Sequence, residues 1–122
     1  MGSVDILIVD DDAALRETLV QVMQDEGFRT AGAANGREAL EYLRSHPPPN
    51  VILLDMMMPE MNGEEFREEQ LRDARLSAVP VVVMSASGRL HELVSQMNPA
   101  ATLTKPVSLD AVLSALQPYL PK

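Results

Sequence analysis

Five polar residues with complementary chemistry follow four apolar runs of the sequence. Asp10 and Asp11 follow the first run, and Asp55, Ser85 and Lys105 each follow a later one. Taken alone, an acid after a strand is a common turn former or helix cap, and a single serine or lysine says little. The combination of carboxylates, a hydroxyl and an amine at corresponding positions indicates one shared site.

The chemistry of such a site follows from its charges. Three carboxylates would repel one another and raise one another's proton affinity unless a cation intervened. All-oxygen ligands favour a hard divalent ion, so we expect Mg²⁺, with Mn²⁺ as the other candidate. Asp10 and Asp11 would hold the metal while Asp55 attacks phosphorus and forms an aspartyl phosphate. Lys105 would pair with the phosphoryl group, and Ser85 would sense it through its hydroxyl.

Short β-rich runs alternate with segments of helical periodicity along the chain. Strands are predicted at residues 4–9, 29–33, 51–54, 80–84 and 101–104. Parallel strands need crossover connections, which are right-handed, so the pattern predicts an α/β domain with a doubly wound five-stranded parallel sheet. The carboxyl ends of all five strands would share one edge, where open α/β sheets bind ligands.

The helices between the strands have recognisable starts. Asp12 is expected to cap the first helix, and the pairs Asn35/Glu38 and Asn62/Glu65 resemble capping boxes of the second and third. The third helix is expected to carry Phe66 and Leu71 as its apolar residues, with the run 64–69 as a solvated face. The apolar positions of the last two helices are Leu90, Leu93, Val94 and Met97, then Leu109, Val112, Leu113, Leu116 and Leu120.

Length and composition exclude several classes of protein. A chain of 122 residues fits one domain, residues 1–122, and its net charge of −8 argues against direct nucleic-acid binding. The absence of cysteine excludes disulfides, thiolate metal sites and a cysteine nucleophile. No apolar run approaches the roughly 18 residues that span a bilayer, and no basic signal region is present, so a cytoplasmic protein without membrane contact is expected.

Four short motifs resemble the receiver domain of two-component response regulators. They are Val9-Asp10-Asp11; Leu54-Asp55 followed by Met58-Pro59 and Gly63; Met84-Ser85-Ala86; and Thr104-Lys105-Pro106. The resemblance covers nearly the whole chain in order. It implies a flavodoxin-like (βα)₅ fold with strand order 2-1-3-4-5, and a histidine kinase or phosphotransfer protein as the phosphoryl donor.

The resemblance also implies roles for the acidic residues. Asp55 would be the phosphoryl acceptor and Asp11 a direct metal ligand, whereas Asp10 would act mostly through water. The backbone carbonyl of Met57 would complete the protein ligands. An apolar side chain at Met57, two residues after the acceptor, is expected to restrict the hydrolytic water and lengthen the phosphoryl lifetime.

The same resemblance assigns the switch and the output surface. Ser85 would be the switch hydroxyl and Lys105 the phosphoryl-binding amine, with a cis peptide bond expected before Pro106. The downstream protein target would bind the face formed by the fourth helix, the fifth strand and the fifth helix. Two departures touch this face: Thr102 stands where the family often has an aromatic residue, and residues 98–101 replace a usual Gly-Ala pair.

Two other functions remain open from the sequence. A Mg²⁺-dependent phosphohydrolase could use Asp55 as its nucleophile, but residues 56–59 supply no second acid to act as acid/base. A phosphorylation-independent binding module could keep the fold without the chemistry, and the changes at Thr102 and residues 98–101 favour it. The complete set of five site residues argues for the phosphorylated switch.

Overall fold

The computed structural model describes residues 4–86 and 91–121, and within these residues five strands alternate with five helices. The strands are β1 (Ile6–Val9), β2 (Thr30–Ala33), β3 (Val51–Asp55), β4 (Val81–Ser85) and β5 (Ala101–Thr104). The helices are α1 (Ala13–Asp25), α2 (Gly36–Ser45), α3 (Gly63–Arg72), α4 (His91–Gln96) and α5 (Leu109–Leu116), and a 3₁₀ helix (Gln117–Tyr119) follows α5. The predicted order and type of these elements are confirmed, while Leu90 lies outside the described residues.

The sheet is parallel throughout, with the strand order β2-β1-β3-β4-β5. In the centre, Val9 of β1 lies opposite Ala33 of β2 on one side and Leu54 of β3 on the other. The strand order therefore reverses at β1 and β3, which is where open sheets of this kind form a ligand crevice. The predicted flavodoxin-like topology is confirmed.

Each face of the sheet carries its own hydrophobic core, because successive side chains of a strand point to opposite sides. Leu7 packs on the face covered by α2, α3 and α4, together with Phe66. Ile8 packs on the opposite face, covered by α1 and α5, together with Leu19. Burial on both faces explains why the central strands are apolar at nearly every position.

The capping pairs hold two of the helix starts. Asn62 and Glu65 form a complete capping box, with reciprocal hydrogen bonds of 2.9 and 3.0 Å between each side chain and the other's backbone N–H. Asn35 likewise accepts a hydrogen bond from the Glu38 N–H, but the Glu38 carboxylate accepts from Ala34 instead. Asn35 therefore caps α2, but Asn35 and Glu38 do not form the reciprocal pair of bonds that defines a capping box.

Helix α3 departs from the prediction in which face it buries. Phe66 is buried as expected, but Leu71 is 50% exposed. The run 64–69 is not solvated throughout, because Arg67 is also buried, and so is Gln70 one turn later. Residues 66, 67 and 70 share the inward face of the helix, and Leu71 lies beyond its edge.

The remaining helices are short or half-buried. The longest, α1, has 13 residues, and in the described ranges none is both long and apolar enough to cross a membrane. In α5 the predicted stripe holds at Val112 and Leu116, which are fully buried, whereas Leu109 in the first turn is 42% exposed.

Candidate functional site

The five predicted site residues all lie at the carboxyl edge of the sheet. Asp10 and Asp11 follow β1, Asp55 and Ser85 end β3 and β4, and Lys105 follows β5. Asp10, Asp11 and Asp55 each bring one carboxylate oxygen within 4.8 Å of the others. Asp10, Asp55 and Ser85 are buried, whereas Asp11 is exposed.

Lys105 joins the two buried carboxylates. Its Nζ donates a hydrogen bond to Asp10 Oδ2 at 3.2 Å and lies 3.3 Å from Asp55 Oδ1. The lysine side chain is only 23% exposed, so these ion pairs are partly shielded from water. An amine that starts 95 residues away in the sequence from Asp10 therefore reaches the centre of the acidic cluster.

The charges at the site leave a negative excess. Three carboxylates and one ammonium carry a formal sum of −2. Burial and the neighbouring Asp10 raise the pKa of Asp55 to about 6, although Lys105 and the Met57 N–H act in the opposite direction. Burial tends to lower the pKa of Lys105, but the Asp55 and Asp10 carboxylates outweigh it and raise that pKa. A further positive charge would therefore stabilise the ionised carboxylates of the site.

Asp10 is held in place from several directions. Its Oδ1 accepts a hydrogen bond of 2.9 Å from the Asp12 N–H, while Lys105 occupies its Oδ2. Arg16 Nη1 donates to the Asp10 backbone carbonyl at 2.7 Å and fixes the turn that follows β1. The Asp12 side chain caps α1 by accepting from the Leu15 N–H, as predicted. Sequence reasoning missed Arg16, whose role depends on the path of this turn.

The segment after Asp55 packs closely against α3. The Gly63 N–H donates to the Met56 carbonyl at 2.9 Å, and a Cβ on Gly63 would lie 2.7 Å from the Asp55 carbonyl oxygen. Glycine is therefore required by space at this position. Met57 lies at the surface and is 60% exposed, and its backbone N–H acts to lower the pKa of the Asp55 carboxyl.

The ends of β4 and β5 bring Ser85 and Lys105 together. Ser85 pairs in register with Thr104, and the Lys105 N–H donates to the Ser85 carbonyl at 2.8 Å. The peptide bond between Lys105 and Pro106 is cis, as expected. Thr102 is exposed on β5, on the strand that the predicted output face contains.

The donor set fits a magnesium ion. The clustered atoms are carboxylate oxygens, the hard ligands that Mg²⁺ prefers, and two of the three residues are buried. A divalent ion would offset the formal charge of −2. Asp11, the exposed member, is the most accessible of the three for direct coordination, whereas both oxygens of Asp10 already have hydrogen-bond donors.

The strand order and this edge define a flavodoxin-like α/β domain with an acidic pocket, and comparison with known proteins gives the family. The family model described as the response regulator receiver domain matches residues 6–117. The chain therefore belongs to the response regulator receiver domain family.

Individual relatives agree with this family. The chain is 35% identical over 120 residues to sporulation initiation phosphotransferase F of Bacillus subtilis, covering 95% of this chain and 93% of that protein. It is 34% identical over 110 residues to response regulator Rre1 of Synechocystis, covering 88% of this chain but 47% of that protein. The chain thus spans about half the length of Rre1, and likewise 49% of response regulator MprA of Mycolicibacterium vanbaalenii.

Solved structures agree as well. The chemotaxis response regulator CheY4 of Vibrio cholerae superposes with a TM-score of 0.85 at 27% identity, covering 98% of this chain and 99% of that one. The receiver domain of a signal transduction histidine kinase from Syntrophus aciditrophicus gives 0.86 at 27% identity, covering 98% and 90%. Receiver domains act as signalling switches rather than ordinary enzymes and bind Mg²⁺ at an acidic pocket. Membership of the family implies a histidine kinase partner and a downstream target.

Proposed function

We propose that this chain is a single phosphorelay domain that accepts a phosphoryl group on Asp55 in a Mg²⁺-dependent reaction. The observation that carries the proposal is the position of Lys105, whose ammonium lies 3.2 Å from Asp10 and 3.3 Å from Asp55. A carboxylate that attacks phosphorus needs a nearby positive group that offsets the negative charge of the incoming phosphoryl oxygens. Lys105 is already paired with the attacking residue.

Asp55 acts as the nucleophile toward a phosphohistidine of the donor. Its carboxylate oxygen forms a bond to phosphorus while the phosphorus–nitrogen bond breaks, and the leaving imidazole keeps the electron pair and takes up a proton. Hydrolysis later restores the carboxylate when water adds to phosphorus and the Asp55 oxygen leaves. The Met57 N–H acts to lower the pKa of Asp55 and so favours the ionised carboxylate that attacks.

Asp10, Asp11, Asp55 and the backbone carbonyl of Met57 would hold Mg²⁺ or Mn²⁺. The bound ion supplies charge that offsets the phosphoryl oxygens during transfer. Asp11 is the exposed carboxylate and suits direct binding, whereas Asp10 suits binding through water, because its oxygens accept from the Asp12 N–H and from Lys105. The buried Asp55 contributes both a ligand and the nucleophile.

Phosphorylation would then change the surface offered to a partner. A phosphoryl group adds roughly −1.5 to −2 charge and strong acceptor oxygens at neutral pH. Lys105 would pair with one oxygen, and the Ser85 hydroxyl would donate to another, which draws the end of β4 toward Asp55. The α4-β5-α5 face, which begins beyond Ser85, would carry this change to a downstream protein.

The donor is a histidine kinase or a phosphotransfer protein. This fits the similarity to sporulation initiation phosphotransferase F, which the chain matches over nearly its full length. A net charge of −8 favours protein partners over nucleic acid, whose phosphates would repel the domain. No membrane contact is needed for this exchange.

Intact mass spectrometry tests the proposal. The domain is mixed with Mg²⁺ and a small acyl phosphate, beside Asp55→Asn and beside Asp12→Asn, which changes an exposed carboxylate in the α1 cap. The expected result is a gain of one phosphoryl group in the parent and in Asp12→Asn, which disappears in Asp55→Asn or with a chelator. No gain in a folded, Mg²⁺-bound parent, repeated with a phosphorylated kinase donor, would point instead to a phosphorylation-independent binding module. Turnover of a phosphoester would point to a phosphohydrolase.

A further inference from the structure

A buried guanidinium on α3 contacts the end of α4. Arg67 is 8% exposed, and its Nε donates to the Met97 carbonyl at 2.9 Å while Nη2 donates to the Asn98 carbonyl at 3.1 Å. Burial lowers the pKa of this guanidinium. Within the described part of the chain, no carboxylate forms an ion pair with Arg67. The positive charge is therefore directed at backbone carbonyls.

Gln70 extends this contact to the segment before β4. Arg67 Nη1 donates to Gln70 Oε1 at 2.7 Å, and Gln70 Nε2 donates to the carbonyls of Leu76 and Val79, both at 3.0 Å. Gln70 is fully buried, so each of these bonds replaces one that water would otherwise make. The pair joins α3 to the segment before β4 and to the end of α4.

The residues that directly follow α4 offer carbonyl acceptors for such donors. The Met97 and Asn98 N–H groups close the helix with bonds to the carbonyls of Val94 and Ser95, at 3.0 and 3.1 Å. Asn98 then adopts a left-handed φ of 52°, and the next residue, Pro99, has no N–H. Met97 and Asn98 directly follow α4, at the end of the helix that carries partial negative charge, which suits a cation. Arg67 places its guanidinium at this end of the helix and donates to both carbonyls.

We propose that Arg67, supported by Gln70, is a positioning residue that anchors the C-terminal end of α4 and its connection to β5. The connection is also tied to the sheet, because the Ala100 N–H donates to the Val81 carbonyl at 2.8 Å. With this end fixed, α4 moves from its other end, which follows Ser85. The direction of that movement rests on the proposed function, whereas the anchor does not.

Hydrogen exchange of the unphosphorylated domain tests the anchor. The reporters are the amides of Met97, Asn98 and Ala100, each with a backbone acceptor in the structure. Arg67→Met removes three donors from this network, and exchange at these amides should rise by about 10- to 100-fold through local opening. Arg72→Met is the matched control, because Arg72 is an exposed arginine of the same helix that pairs with Glu69. Exchange in the control should match the parent.

A conservative variant separates positioning from bulk packing. Arg67→Lys keeps the positive charge but replaces the planar guanidinium with an ammonium group. It should therefore restore only part of the protection from hydrogen exchange that is lost in Arg67→Met. It also carries the test if Arg67→Met does not fold. Exchange in the Arg67 variants equal to that of Arg72→Met would overturn the proposal.

The second arm uses the domain with Mg²⁺ and an acyl phosphate donor. Exchange at Met97, Asn98 and Ala100 should stay unchanged in the parent while it changes at residues 91–93. In Arg67→Lys the change should spread to all of these amides. Equal changes at both ends of α4 in the parent would contradict the inference that α4 moves from its other end while its C-terminal end stays fixed. Failure to take up phosphate would contradict the proposed function and leave the result of the first arm standing.

Discussion

Replacing the buried acceptor carboxylate should stabilise the metal-free domain. Asp55 has its pKa raised from 3.8 to about 6, mainly by burial and then by Asp10, which means that folding disfavours its charged form at neutral pH. The shift is about two units, and each unit corresponds to about 1.4 kcal/mol, so the upper value is about 3 kcal/mol. The raised pKa already includes the opposing effect of Lys105, and screening by water at the sheet edge reduces the gain further, so we expect Asp55→Asn to gain about 1–2 kcal/mol.

The pH dependence of this gain has a defined sign. The folded state holds the Asp55 proton more tightly than the unfolded state, so the parent gains stability as pH falls through about 6 toward about 4. The asparagine variant has no such proton. Its advantage over the parent should therefore be largest above about pH 7 and should fade toward about pH 4.

Urea unfolding in a chelator, at about pH 7.5 and about pH 4.5, measures both effects. Asp12→Asn is the control, because it removes one exposed carboxylate and keeps an equally good helix cap, and it should change stability by less than about 0.5 kcal/mol. Added Mg²⁺ should stabilise the parent by mass action and narrow its difference from Asp55→Asn. No gain in chelator, or a gain equal at both pH values, would refute the reasoning.

Three further predictions concern residues around Asp55. Lys105→Met should slow Mg²⁺-dependent phosphoryl uptake, read by intact mass, by about a hundredfold, and an unchanged rate would count against its role. Met57→Asn should speed loss of the phosphoryl group severalfold, because a polar side chain replaces the exposed thioether; a loss no faster than the parent's contradicts this. Gly63→Ala should lower the free energy of unfolding by about 1–3 kcal/mol, because its Cβ would lie 2.7 Å from the Asp55 carbonyl oxygen. An unchanged midpoint in urea unfolding would show that the neighbouring backbone shifts to make room for the methyl group.

The fold could be predicted because its strands are buried on both faces. Runs such as residues 51–54 are apolar at every position, and helical periodicity separates them, which leaves a parallel sheet as the natural arrangement. The capping box of Asn62 and Glu65 was equally readable, since its bonds depend on neighbours in the sequence. Local sequence patterns therefore predict most of the secondary structure.

The buried face of α3 could not be read in the same way. An arginine and a glutamine at helical spacing predict a solvated surface, and only the carbonyls at the end of α4 and before β4 give Arg67 and Gln70 partners. Those acceptors lie up to 31 residues away in the sequence. Leu71 is exposed because α3 buries residues 66, 67 and 70 on one face and Leu71 lies beyond the edge of that face.

The location of the candidate site followed from topology, but its geometry did not. Strand ends predicted that Asp10, Asp55 and Lys105 share an edge, and the structure brings them together. The hydrogen bond from Arg16 to the Asp10 carbonyl depends on the shape of a turn, and no sequence pattern indicated it. The close approach of Gly63 to the Asp55 carbonyl oxygen depends on how α3 packs, and the motif that contains Gly63 did not indicate it.

The central claim is that Asp55, and no other carboxylate of the cluster, accepts the phosphoryl group. Borohydride reduction of the domain after reaction with Mg²⁺ and an acyl phosphate converts an aspartyl phosphate to homoserine, and peptide mass mapping locates it. We predict homoserine at position 55 alone, and none when Mg²⁺ is omitted. Homoserine at position 10 or 11, or its absence from a domain that has gained a phosphoryl group, would contradict the account.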